Sequence, residues 1–397
     1  MLRVACDVAK SVTTFLPTKG DPSLRVTTMS QTLPLDIIIL IAGHFDCKDS
    51  TRALGRFRLV SRTLCELFRP FFFKRVYIRT APCDTADDGQ ATKFLRAVEN
   101  SRNARQVEHL VFNAVADDQN LSINDILPLL PGLRTLIFTS FTNSHVLPID
   151  APFSLTRLIY THTGVPIDVS KVYTFLRTQT SIEHLELDID MDHRRALPAA
   201  FLTLPRLRIL YGDLPHIYPV LTGASSDLSH LWVYGFEGEI AKRAIANSNR
   251  LQSITFLRCD GMDDTMPALF ASLFPNLELL QLDFPLQHDT LYEALEYFVQ
   301  WCRAPRLRGI RFHLKSRPRY YKSTQDSIET ARLLFQTFPS LEVVDFEARM
   351  CLQYNRWYRG SESAVTIQVI EKQTWWSYTV HWWHDWAQSY RALPIAS

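Results

Sequence analysis

The chain has 397 residues, 46% of them hydrophobic and 21% charged, enough apolar content for a sizeable core and too much for a disordered polymer. Forty-three Lys and Arg stand against 41 Asp and Glu, a net charge of +2 that argues against a protein held to nucleic acid or a membrane surface by charge. Glycine is scarce at 13 residues and no two are spaced as in G-x-G, which excludes the phosphate-cradling loops of dinucleotide- and Walker-type enzymes.

Residues 1–30 carry Arg3, Lys10, Lys19 and Arg25 among Ser, Thr and a few apolar residues. Asp7 and Asp21 weigh against a mitochondrial presequence, so the segment is expected to be a disordered tail, with Met29 as an alternative start. A first helix opens at Leu33-Pro34, where a proline costs no intrahelical bond, and sets Ile37, Ile38 and Ile41 on one face. After the polar break Asp46–Ser50, a second helix is predicted from about Thr51 to Phe68, with Leu54, Phe57, Leu64 and Phe68 at helical spacing. Pro70 ends it, and the aromatic, β-branched run Phe71–Ile78 reads as a strand.

Leu33-Pro-x-Asp-Ile37 through Ile41, then Leu59-Val60-Ser61-Arg62, then Leu67-x-x-Pro70-x-x-Phe73-x-x-Val76-x-Ile78 form an ordered set of about 45 residues. That set resembles an F-box in its common fungal form, with Ser61 where many members have Cys and Leu64 where many have Trp. The resemblance implies a small helical domain over 31–80 that docks a Skp-family adaptor and through it a cullin–RING ubiquitin ligase. It places Leu33, Pro34, Ile37, Ile41, Val60, Ser61 and Leu64 at or beside the adaptor surface. The residues by themselves leave a second reading open, a helical cap over the first unit of whatever follows.

Past residue 100 a short unit recurs: apolar, two variable, apolar, one variable, apolar. It runs from Val107-Leu110-Phe112, Leu133-Leu136-Phe138, Leu155-Leu158-Tyr160, Ile182-Leu185-Leu187 and Leu207-Leu210 to Leu228-Leu231-Val233, Leu251-Ile254-Phe256, Leu277-Leu280-Leu282, Leu307-Ile310-Phe312 and Leu341-Val344-Phe346. The ten units average 26 residues apart, and five are introduced by Pro131-Gly132, Pro205-Arg206, Pro275-Asn276, Pro305-Arg306 and Pro339-Ser340. Gly212 breaks the pattern at the last apolar position of the fifth unit. Helices are predicted between units at 168–178, 238–247, 264–274, 289–302 and 324–338. No single strand–helix unit can bury its apolar side alone, so neighbours must stack. The fold class is therefore α/β, a leucine-rich-repeat-like solenoid over 90–350; the pattern resembles the degenerate leucine-rich repeats that often follow an F-box. A wound α/β sheet is the rival reading, and one motif shared by ten strands favours repetition.

Residues 351–397 concentrate Trp375, Trp376, Trp382, Trp383 and Trp386 with Tyr378 and Tyr390, read as an aromatic C-terminal cap, with an aromatic ligand pocket as the other possibility. The pair His381 and His384 with Asp385 lacks a convincing further metal ligand, and no H-E-x-x-H or G-x-S-x-G is present. The seven cysteines, scattered and without a C-x-x-C, read as packing thiols of a reduced chain, and the longest apolar stretch, 37–42, is too short to span a bilayer. Lys315, Arg317, Arg319 and Lys322 with Tyr320 and Tyr321 form a basic-aromatic loop, read first as solvated and otherwise as a contact for nucleic acid or a phosphorylated peptide.

Strand alternation sends the positions between the anchors to the second face of the sheet. There the first three units place Val111, Ile137 and Ile159, whereas the next three place His184, Glu186 and Asp188, then Tyr211, then His230, Trp232 and Tyr234. His184, Glu186, Tyr211, His230, Trp232 and Tyr234 are the candidate substrate-binding residues, expected as an exposed aromatic patch. The functional expectation is a non-enzymatic, cofactor-free substrate-recognition subunit of a Skp–cullin–F-box ligase, cytoplasmic or nuclear, with an unnamed protein substrate and neither nucleic acid nor membrane as partner. The alternative is a repeat scaffold that binds a protein without involving ubiquitin.

Overall fold

The computed structural model of the chain describes residues 66, 73–80, 90–114, 123–140, 147–162, 167–189, 202–223, 227–236, 248–262, 273–284, 299, 304–314, 324–347, 353–361 and 365–368. All belong to a unit formed by residues 47–397; a second unit, 1–46, lies outside them. The expected tail, both helices of the F-box-like segment but for Glu66, the Lys315–Lys322 loop and the tryptophan-rich stretch are likewise outside the described residues.

Among the described residues the strands form a single sheet of thirteen, each paired with the next in chain order. They are β1 (Arg75–Thr80), β2 (His109–Ala114), β3 (Thr135–Ser140), β4 (Arg157–His162), β5 (His184–Ile189), β6 (Ile209–Asp213) and β7 (His230–Phe236). There follow β8 (Phe256–Met262), β9 (Leu279–Phe284), β10 (Gly309–Leu314), β11 (Val343–Glu347), β12 (Gln353–Tyr358) and β13 (Val365–Gln368). From β1 to β11 all neighbours are parallel; β12 and β13 return antiparallel. The sequence units are β2 to β11, and the register puts the anchors of nine of the ten in line: Leu110, Leu136, Leu158, Leu185, Leu210 and Leu231 occupy one row across six strands. The seventh unit is corrected: Leu257 and Cys259, opposite Leu231 and Val233, are the core anchors of β8, and Phe256, read as an anchor, lies on the other face. The architecture is α/β, a mostly parallel sheet of successive strand–helix units, consistent with a leucine-rich-repeat-like solenoid.

The repeat is also visible in the backbone. Arg134 and Thr135 both donate their N–H to Glu108 O, and Thr156 and Arg157 do the same to Arg134 O. The arrangement recurs at every joint through Glu342 and Val343 on Arg308 O. Each Pro-x dipeptide sits in a turn that aims the chain into its strand, closed by Leu133 N–H to Leu130 O, Leu207 to Leu204, Leu277 to Phe274, Leu307 to Ala304 and Leu341 to Phe338. Proline presets the φ that the second turn position needs, which is why it recurs there.

Six helices are described: α1 (Gln90–Val98), α2 (Ser101–Ala104), α3 (Ile123–Ile126), α4 (Val169–Thr178), α5 (Leu214–Gly223) and α6 (Thr324–Thr337). The Asp168 side chain caps α4 by accepting from Ser170 N–H. Phe94, Val98, Val172, Phe175, Leu176, Ile217, Val220 and Leu334 from these helices join the strand anchors in one continuous core. Burying each such side chain contributes about 1.5–3 kcal/mol.

Three further features depart from the sequence reading. The strand expected over Phe71–Ile78 is Arg75–Thr80 and is the first of the parallel sheet, while β12 and β13 carry the sheet past residue 350 into the expected cap. Helix α5 was not expected because Pro215 and Pro219 interrupt it in sequence. Pro215 stands in the first turn, where no N–H is needed, and the carbonyl of Pro219 accepts from Leu202 N–H. The break at Gly212 has a steric cause: φ is +155°, and a Cβ there would meet Leu187 O at 2.3 Å and Ile217 Cγ2 at 2.7 Å. Helix α5 follows β6 immediately, so the final anchor position is filled by Ile217 instead of by a side chain of its own.

Candidate functional site

The positions between the anchors form rows of their own on the opposite face of the sheet. One row runs Val111, Ile137, Ile159, Glu186, Tyr211, Trp232 and Arg258; the row beside it runs Arg75, His109, Thr135, Arg157, His184, Ile209, His230 and Phe256. All six candidate substrate-binding residues fall on this face, within β5, β6 and β7. The structure thus gathers them as alternation requires.

Their contacts are specific. The Tyr211 ring lies 4.2 Å from Trp232 and 5.2 Å, edge-on, from Tyr234, and the two tyrosine hydroxyls are hydrogen-bonded to each other. The Arg258 guanidinium covers the Trp232 ring at 3.6 Å. Tyr211, Trp232, Phe256, Leu279 and Val343 make a second apolar cluster, drawn wholly from strands, with Tyr234 and Tyr358 against it. His230 stacks on Phe256 at 5.6 Å and its Nδ1 lies 2.8 Å from Ser229 Oγ. Burial pushes the Tyr211 hydroxyl far above the ordinary tyrosine range, and the Tyr234 hydroxyl adds to the shift. Tyr211 is therefore a neutral hydrogen-bonding group.

The expected exposure is corrected. Trp232 is only 7% exposed, and His184, Glu186 and Tyr211 are buried too; His230 and Tyr234 are half-buried and Asp188 is exposed. At a strand spacing of about 4.8 Å, large side chains in one row lie flank to flank, and Arg258 closes the remaining side of the indole. The aromatics are a packed platform with Tyr234 and His230 at its rim.

Beside the platform, His184 Nε2 lies 2.8 Å from Glu186 Oε1, and Arg157 Nη2 approaches the same oxygen at 4.0 Å. Burial lowers the proton affinity of His184 despite the Glu186 bond, and lowers that of Arg157 with Glu186 opposing. Farther along, Asp345 on β11 is held by Arg311 from β10 (Nη2–Oδ2 2.8 Å) and Arg356 from β12 (Nε–Oδ1 2.7 Å, Nη2–Oδ2 2.9 Å). Burial alone would raise the Asp345 pKa, but the two guanidiniums overcome that and hold it below its ordinary value.

Sequence reasoning passed over Arg157, Arg258 and the Arg311–Asp345–Arg356 group. Aligning the units on their anchors sets Arg157, Arg311 and Asp345 in the columns between anchors, and that alignment is the signal that could have found them; Arg258 joins those columns only once the seventh unit is moved to Leu257 and Cys259, and Arg356 lies on β12, past the last unit. Leu33, Pro34, Ile37, Ile41, Val60, Ser61 and Leu64 lie outside the described residues, as do His381, His384 and Asp385. Among the described residues no group of three His, Cys, Asp or Glu could hold a metal ion, and no helix is long and apolar enough to cross a membrane.

No protein-family model matches the chain, and no curated protein matches it. Among solved structures, the crystal structure of a Bacteroides fragilis protein is similar to it at 12% identity and a TM-score of 0.38, covering 68% of this chain and 74% of that one.

Proposed function

We propose that the chain is a non-catalytic substrate-recognition subunit of a Skp–cullin–F-box ubiquitin ligase. Its F-box-like segment docks a Skp-family adaptor, and its repeats present a protein substrate to the ligase. The observation that supports this most is the order of two features in one chain. The Leu33-Pro34, Val60-Ser61-Arg62 and Pro70 set comes first, and a sheet of successive strand–helix units with one shared motif follows directly. Such a sheet offers a long, rigid face suited to a macromolecular partner.

On that face the substrate meets the rim of the aromatic platform, Tyr234 and His230, with Asp188 beside it. Tyr211 and Trp232 hold the rim in place. Aromatic groups fixed by packing lose little freedom on binding, which favours them as anchors.

The test is capture of a Skp-family adaptor by the purified full chain. The wild type is expected to retain the adaptor through gel filtration. Val60→Asp, which would bury an unpaired carboxylate in the contact, is expected to lose it while melting as the wild type does. Failure of the wild type to bind, or undiminished binding by a folded Val60→Asp, overturns the reading.

A further inference from the structure

The second face carries a concentration of cations toward its β1 end that the function above does not use. Arg75, His109, Thr135, Arg157 and His184 stand in one row across β1 to β5. Lys74 precedes the row and is paired with Glu108 at 3.4 Å. Arg75 is exposed, His109 is half-buried, and the Arg157 side chain is 20% exposed. The carboxylates at hand are Glu108, 4.0 Å from His109 Nε2, and Glu186, whose Oε1 is engaged by His184.

Arg157 is the informative residue. Its Nε and Nη2 are buried and donate no hydrogen bond. These two nitrogens form the side edge of the guanidinium, with two parallel N–H groups that match two oxygens of one anion. The same chain shows that edge filled: Arg356 uses its Nε and Nη2 to grip both oxygens of Asp345, at 2.7 and 2.9 Å. At Arg157 the nearest carboxylate oxygen, at 4.0 Å from Nη2, is beyond hydrogen-bond reach. Leaving such donors buried and unmet is costly, and an acceptor that supplied two oxygens would remove the cost. Burial first, and then Arg75, Lys74 and Arg157 against the opposing Glu108, disfavour a proton on His109, in keeping with positive charge gathered there.

We infer that Arg157, with His109 and Thr135 beside it in the row, forms a binding site for an oxyanion that presents two oxygens to the guanidinium edge, either a phosphate or a carboxylate. The site extends the reading of this face given above, but its test needs neither adaptor nor substrate protein, so either can fail without the other.

Isothermal titration of the full chain with sodium sulfate and, separately, with sodium acetate tests the site. Sulfate stands for phosphate because its charge is constant across neutral pH, and acetate stands for a side-chain carboxylate. At least one of the two is expected to bind to the wild type with one-to-one stoichiometry, and the arm that binds names the source. Arg157→Gln is expected to weaken that binding at least tenfold. Glu186→Gln, which removes the competing carboxylate but keeps an acceptor for His184, is expected to tighten it severalfold, and serves should Arg157→Gln fail to fold. Absence of binding by both anions, affinity unchanged in a folded Arg157→Gln, or no gain in Glu186→Gln overturns the assignment.

Discussion

His184 shows how a single side chain ties stability to pH. It faces Glu186 on its own strand, Arg157 on β4 and Ile209 on β6. Burial lowers its proton affinity more than Glu186 restores it, so the ring is neutral in the folded chain near pH 7 and titrates near 6.5 when unfolded. The unfolded state then binds more protons as pH falls through 6.5, and stability declines there. His109, also lowered by burial and by its cationic neighbours, contributes to the same slope. Urea midpoints measured at roughly pH 7.5 and roughly pH 5.5 are expected to fall in the wild type, and to fall less in His184→Gln. Equal slopes would show that His184 does not titrate between the two states.

At the scale of the element, β10, β11, β12 and the residues leading into them carry two ionic groups that differ in worth. Arg308 and Glu342 form a fork in which each side chain is 46% exposed, with Arg308 Nε on Glu342 Oε1 at 3.0 Å. Such a pair is worth about 0–1 kcal/mol. Asp345 between Arg311 and Arg356 is fully buried, and its loss leaves guanidiniums uncompensated at a cost of about 3–5 kcal/mol. Asp345→Asn is therefore expected to unfold at markedly lower denaturant than Glu342→Gln, by chemical denaturation at neutral pH. Similar midpoints would mean that the antiparallel return of β12 does not depend on the buried group.

The anchors of β2 to β11, β8 excepted, were readable because each is an apolar residue that the core requires at a fixed spacing; at β8 the apolar Leu251, Ile254 and Phe256 fit the same spacing three residues early, while Leu257 and Cys259 take the core positions. The same holds for the Pro-x turns, α4 with its Asp168 cap, and α6. Strand β1 was placed a few residues early because Phe73 carries β propensity yet stands in a helical turn just before the ladder begins at Arg75. Helix α5 was hidden by Pro215, whose missing donor the first turn does not need, and by Pro219, which costs the helix interior one bond while Ile217, Val220 and Leu221 around it pack into the core. Alternation assigned Tyr211, Trp232 and Tyr234 to one face correctly, since a period of two fixes direction. It could not foresee the burial of Trp232, which is completed by Arg258, 26 residues downstream yet its neighbour in the row.

On the scale of the whole molecule, the two faces of the sheet divide the work. One face, built from anchors and helices, supplies the continuous core. The other carries an aromatic platform at β5 to β7, cations toward β1 and a buried Arg–Asp–Arg group toward β12, a surface with distinct chemistry along its length. In the reading proposed here that surface holds a substrate while the F-box-like segment joins the ligase. The most direct test is a reconstituted ubiquitination reaction containing the full chain, a Skp-family adaptor, a cullin–RING pair and the activating and conjugating enzymes. Ubiquitin is expected on the chain itself in the wild-type reaction, and neither when the adaptor is left out nor with Val60→Asp. Absence of ubiquitin from the wild type, or equal modification with and without the adaptor, would contradict a role in the ligase.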